Sequence, residues 1–300
     1  MSQNQSTLTP QAFAAVPALF VVLWSTGFIA AKYSVPHATP LLFLTLRFAI
    51  AGVLMAGLAM SAKAIWPDRR RAAHAILAGA LLHGAYLGPI FWVISKGMPA
   101  GVVALITGLQ PFITAILSGN LLGERITARH WAGLAIGLAG VALVVFPKLT
   151  SGFEGVTPFN VGLTLAAVAI IALGTVQQKA NAGDIDLRSG AALQYLGGGL
   201  VVFIGMLFFE EPHADFSPPF WFALSWSVLV LSIGAISLLM LLLRHGSAAK
   251  VSGLIYLVPG MTALMAWAAF GEVLLPIQIL GMVVCAAGVM LVSRTPKPQS

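Results

Sequence analysis

The chain has 300 residues, 59% of them hydrophobic and only 8% charged, with a formal net charge of +7. A soluble domain carries roughly 25% charged residues, so lipid must be this surface's main solvent. The single cysteine, Cys285, excludes a disulfide framework and a cysteine-based metal site.

A helix needs about 20 apolar residues to cross the hydrocarbon core. Ten runs meet that need, at Phe13–Ala31, Thr39–Ala62, Ala73–Ile94, Ala100–Leu122, Ala128–Val145, Phe159–Ala180, Gly190–Phe209, Phe220–Leu243, Ala249–Phe270 and Pro276–Val292. The N-terminal MSQNQSTLTPQ has no Lys or Arg, and no small-residue cleavage site follows the first run, so that run is expected to stay as a membrane helix. Most connections are short, which makes consecutive helices antiparallel neighbours. The polar Lys148–Thr157 link separates two halves, 1–148 and 159–300, with a linker over 149–158. The predicted class is an all-α polytopic membrane protein of about ten transmembrane helices in two inverted five-helix repeats.

The basic residues fall in the connections, so their charge reports topology and not nucleic-acid binding. With the N-terminus in the cytoplasm, one side receives 12 of the 16 Lys and Arg and the other receives 3. The positive-inside rule then predicts both termini in the cytoplasm.

The halves repeat. Pro111, Thr114, Gly123-Glu124, Gly133 and Gly140 recur 148 positions later as Pro259, Thr262, Gly271-Glu272, Gly281 and Gly288. Apolar composition alone would match Leu and Val, not these residues. With an odd number of helices in each half, the second copy is inverted, the architecture of alternating access.

Several residues carry candidate chemistry. Pro111 and Pro259 kink the fourth and ninth helices and free the Thr107 and Ile255 carbonyls, either as hinges beside a substrate path or as static kinks. Glu124 and Glu272 lie at helix ends, as closing or anchoring groups of the two gates. His83 lies mid-helix with Tyr86 on the same face; it is either a functional group or a histidine bonded to a neighbouring helix. Trp24 and Phe28 frame Ser25, Thr26 and Gly27, and Tyr256 lies just before Pro259; these aromatics suit a flat solute or plain packing. Gln110, Gln177 and Gln178 can bond a zwitterion without adding charge, and Ser237 falls near the depth of His83. Arg47 is read as snorkelling to the interface, and Lys179 as an anchor on the basic side. The carboxylates all lie in connections or at helix ends, which removes the intramembrane acid that a proton antiporter needs and points to a facilitator. The expected substrate-contacting set is Trp24, His83, Tyr86, Gln110, Ser237 and Tyr256.

VLWSTGFIAAKY (22–33), PLLFLTLRFAIAGVL (40–54), ALITGLQPFITAILSGNLLGERIT (104–127) and its echo LIYLVPGMTALMAWAAFGEVL (254–274) resemble the drug/metabolite transporter superfamily, in particular its EamA-type permeases. The resemblance covers nearly the whole chain. It implies a ten-helix inverted-repeat carrier exporting amino acids, metabolites or drugs through a cavity between the halves. Within the family the chain is similar to the YddG-like exporters of aromatic and other neutral amino acids. The partners expected are therefore a small neutral solute and the inner-membrane bilayer. No nucleic acid, cofactor, metal or obligatory oligomer is expected. The alternatives are export of apolar cationic drugs and, less favoured, a membrane-embedded enzyme, for which no acid pair or nucleophile motif is present.

Overall fold

Prolines and short polar caps set the helix starts. Pro40, Pro158 and Pro218 stand in the first turns of their helices, where a missing N–H costs nothing. Thr157 accepts from the Asn160 amide, Asp68 from Arg71 and Asp186 from Arg188. These acidic caps explain why the third and seventh helices begin a few residues before their apolar runs.

The computed structural model describes residues 10–34, 36–98, 100–149, 155–270 and 274–293. Ten helical segments follow in order. They are α1 (Pro10–Ser34), α2 (Pro40–Ser61), α3 (Arg69–Ser95), α4 (Ala100–Thr107 and Gln110–Leu122) and α5 (Ala128–Leu149). The second half holds α6 (Pro158–Asn181), α7 (Leu187–Phe209), α8 (Pro218–His245), α9 (Ala248–Gly253, Leu254–Leu257 and Val258–Phe270) and α10 (Pro276–Ser293). Eight are long and apolar enough to span a membrane; the remaining two are α1, with its apolar stretch Ala15–Gly27, and the interrupted α4.

The halves pack through equivalent helices. α5 lies against α10 and α2 against α7. Helices are also exchanged: α6 packs on α3 and α4, and α1 on α8 and α9. The repeated glycines explain the α5–α10 contact. A Cβ on Gly133 would stand 2.8 Å from the Gly288 carbonyl oxygen, and one on Gly281 2.8 Å from that of Gly140. Gly133 and Gly281 are repeat equivalents, as are Gly140 and Gly288, so the contact is reciprocal about a pseudo-two-fold axis. Small residues that let backbones meet are how helices associate in lipid, where no hydrophobic force draws them together.

Glutamates tie the ends of the bundle. Gly123 closes α4 in the left-handed conformation, with φ 66°, a turn that glycine makes without strain. Glu124 follows and accepts from the Ala248 and Ala249 amides at 2.9 and 3.4 Å, so a carboxylate from the first half caps α9 of the second. At the opposite end Glu210 accepts from the Leu41 amide at 3.0 Å and from Leu42 at 3.3 Å, capping α2. Beside it, bonds from His37 and from the Ser217 amide hold the Asp215 carboxyl below the usual carboxylate range, at about 2. Glu272, the repeat equivalent of Glu124, lies outside the described residues.

Gly140→Val and Gly281→Val are expected to cost at least the ~1–3 kcal/mol of an overpacked core, read as loss of monodisperse protein after heating in detergent. Gly57→Ala is the control. Its Cβ meets nothing within 4 Å, and the helix should gain ~0.8–1.0 kcal/mol.

Candidate functional site

The inner edges of α1, α2, α3, α4, α6, α8 and α9 enclose a cavity of about 120 Å³ between the halves. At the ~30 Å³ a water takes in the liquid, it has room for about four waters or one small solute. Its walls are mainly apolar, with Trp24, Leu87, Phe91, Ile171, Leu239 and Ile255 among them. The polar groups are few: Arg47, His83, Tyr86, Gln110, Thr175 and Ser252.

Irregular backbone lies at the cavity wall in four helices. α3 passes through a π-helical turn at Ala80–Gly84 and α8 through a longer one at Ser227–Ala235. The repeat offset of 148 places the first inside the second. α4 is interrupted at Gly108-Leu109, just before Gln110-Pro111, and α9 tightens to a 3-10 turn over Leu254–Leu257 before Pro259. There the Ile255 carbonyl, left by Pro259, accepts instead from the Val258 amide. Non-helical backbone at this depth is tolerated where it is enclosed by protein or lines a wet cavity, and π turns recur at functional sites.

Close approach of α3 and α7 places His83. A Cβ on Gly79 would sit 1.9 Å from the Gln194 carbonyl oxygen, and one on Gly198 2.7 Å from the His83 Cβ. His83 Nε2 therefore lies 3.3 Å from Gln194 Oε1. The Gln194 amide donates to Gln178 Oε1 at 2.7 Å, and Gln178 donates to the Ala182 carbonyl at 3.5 Å. The backbone acceptor at one end orients the whole chain, so His83 donates from Nε2. Its ring stacks with Tyr195, centroids 5.2 Å apart, and both rings touch Phe48.

Arg47 corrects the snorkelling expectation. Its side chain is buried, lines the cavity and donates from Nε to Ser232 Oγ at 2.9 Å. Tyr195 donates to the Ser232 carbonyl oxygen. Arg47 and Tyr195 are repeat equivalents, and both converge on one residue of the α8 π turn.

Of the expected contact residues, Trp24, His83, Tyr86 and Gln110 come together on the cavity wall. Tyr256 does not: it is wholly buried in the α5–α9–α10 core, where a Cβ on Gly137 would stand 2.3 Å from its ring. Ser237 is likewise absent from the wall. Gln177 turns away to donate to the His74 carbonyl at 3.1 Å, and Lys179 bonds the Leu243 and Gly246 carbonyls at the end of α8. Phe28 falls outside the described side chains. Gln194 and Ser232 were not anticipated. The one available signal was the repeat offset, which places Tyr195 opposite Arg47 and so draws attention to that depth of α7.

Comparison with known proteins agrees with this architecture. The model of the EamA-like transporter family matches twice, over residues 12–146 and 159–294. The chain is 27% identical over 292 residues to the uncharacterized transporter YvbV of Bacillus subtilis, covering 94% of this chain and 92% of that one. It is 28% identical over 282 residues to the uncharacterized inner membrane transporter YedA of Escherichia coli K12, with coverage of 94% and 90%. A probable amino-acid metabolite efflux pump of the same organism is 29% identical over 161 residues, 54% of this chain and 51% of that one. A crystal structure superposes with a TM-score of 0.78 at 19% identity, covering 94% of this chain and 96% of the other, which shows a shared fold. A family match in each half, over ten helices arranged as two repeats, makes this chain a multi-pass membrane protein belonging to the EamA-like transporter family.

Proposed function

We propose that the protein exports small neutral metabolites, foremost aromatic and hydrophobic amino acids, by alternating access and without obligatory proton coupling. The observation that carries this reading is the cavity at the meeting of the halves. It is mainly apolar, it has a few convergent polar groups, and it is bordered by both proline-interrupted helices. Such a lining suits a solute with an aromatic or aliphatic body and a small polar head. Trp24 and Tyr86 serve the body, His83 and Gln110 the head; Ser237 and Tyr256 are not carried forward as contacts. Among the described residues, no carboxylate lines the cavity, which favours a facilitator over a proton antiporter. The similarity to an amino-acid metabolite efflux pump supports the substrate class, and the charge of the connections supports a cytoplasmic-membrane protein with both termini inside.

In this reading Pro111 and Pro259 are the hinges of opposing gate helices. Glu124 is a latch: its bonds to the start of α9 hold the α4 and α9 ends together on the basic side, closing the cavity there.

In proteoliposomes, flux of labelled aromatic amino acids should be the same with and without a pH gradient, and flux should leave lumenal pH unchanged. Lumenal pH moving in proportion to flux would sink the facilitator reading. His83→Ala, Tyr86→Ala and Gln110→Ala should each lower transport about tenfold, the equivalent of ~1.4 kcal/mol, with insertion intact. Unchanged flux in all three would move the substrate path elsewhere.

Glu124→Ala removes a charged helix cap worth ~1 kcal/mol. In a Cys285→Ser, Ser252→Cys background it should raise labelling of the new cysteine from the basic side about fivefold. Equal labelling would remove Glu124 from the gate.

A further inference from the structure

Arg47 is the fixed charge on the cavity wall, and its environment leaves most of that charge unanswered. The side chain is 6% exposed, so the guanidinium is cut off from both bulk water and lipid headgroups. A guanidinium has five N–H donors in a planar fork. One, on Nε, is used on Ser232 Oγ at 2.9 Å. Among the described residues no ion pair and no second hydrogen bond engages Arg47; the Phe48 ring lies 5.6 Å from the guanidinium carbon. The fork's outer nitrogens therefore remain for whatever occupies the cavity. A buried charge without a partner is costly in a low-dielectric interior, so an anionic ligand arriving there gains what the protein withholds.

The surroundings hold the fork in position. Ser232 is fully buried, and its presentation depends on the π turn Ser227–Ala235. The Tyr195 hydroxyl donates to the carbonyl of the same residue, and Phe48 packs between Arg47, His83 and Tyr195. The repeat puts tyrosine where a second arginine would stand, so the cavity has one cationic pole and not two. A single positive pole in an otherwise uncharged, mainly apolar chamber matches a solute with one carboxylate.

We infer that Arg47 is the substrate's carboxylate receptor, pairing in a bidentate fork with a monocarboxylate whose apolar body fills the rest of the cavity. Two parallel charge-assisted bonds give orientation as well as affinity. This rests on the exporter reading and narrows its substrate class to carboxylate-bearing solutes. Cationic drugs, repelled by the same pole, are excluded as principal cargo. Ser232 is a positioning residue, acting through Arg47.

The test compares an aromatic and aliphatic amino acid panel as free acids, as primary amides and as the decarboxylated amines. Binding is read by thermal shift of the purified wild-type protein and transport by counterflow in proteoliposomes. Free acids should bind at least tenfold tighter than their amides, and the amines should not bind. Arg47→Gln should abolish the preference for acid over amide. Arg47→Lys should restore part of it, and Ser232→Ala should reduce it without removing it. Wild-type protein that binds acid and amide equally overturns the assignment of Arg47, whether or not the variants fold. Binding of acids without transport overturns the exporter reading alone. Amines bound in preference to acids overturn the carboxylate assignment and restore cationic drugs as cargo.

Discussion

Close backbone approach between repeat-equivalent helices is the constraint from which the rest of this structure follows. In lipid, two helices gain little by hiding apolar side chains from one another, so contact has to come from shape. Along α5 and α10 the glycines at 133, 140, 281 and 288 supply it, each set against a backbone atom of the other helix. The same device joins α3 to α7 through Gly79 and Gly198. These seams hold the scaffold at fixed distances. They leave α4 and α9 as the helices interrupted at mid-depth, and the cavity forms where those helices meet the rest.

Irregular backbone is concentrated around that cavity for a related reason. A proline or a π turn disrupts the regular backbone hydrogen-bond pattern, and the bilayer core has nothing to offer in return. In α9 the 3-10 turn re-satisfies the Ile255 carbonyl locally. In α8 the carbonyl and hydroxyl of Ser232, within the π turn, accept from Tyr195 and Arg47.

The number and order of helical segments were legible in the amino-acid order because they rest on quantities that order carries directly: run length and a repeat with a fixed offset. The ten segments, the gap between halves and the glycine pairs follow from these. Azimuth around each helix was much less legible. Arg47 lies near one end of α2, and depth alone suggests snorkelling; which way the side chain faces depends on the α2–α7 seam, which no local pattern reveals. On a regular α-helix Tyr256 shares a face with Pro259, three residues on. The intervening 3-10 turn has about 3.0 residues per turn, and the ring turns onto Gly137. Ser237 follows the π turn of α8 and is not on the cavity wall. The expected contact residues that line the cavity, Trp24, His83, Tyr86 and Gln110, belong to the first half.

An inverted repeat supplies two related conformations, but a perfectly symmetric one would bind its cargo identically from either direction and in two orientations. Symmetry is kept here in the scaffold and broken in the chamber. The glycine seams are reciprocal, whereas position 47 is arginine and its equivalent 195 is tyrosine. Trp24 likewise has no tryptophan in the matching stretch of α6. Both members of the 47/195 pair still reach for Ser232, so the pseudo-symmetric geometry survives the loss of chemical symmetry. One member keeps its charge and the other caps the carbonyl that would otherwise compete for it. The cavity wall therefore carries one charged group, Arg47, among neutral polar ones, within a nearly symmetric scaffold.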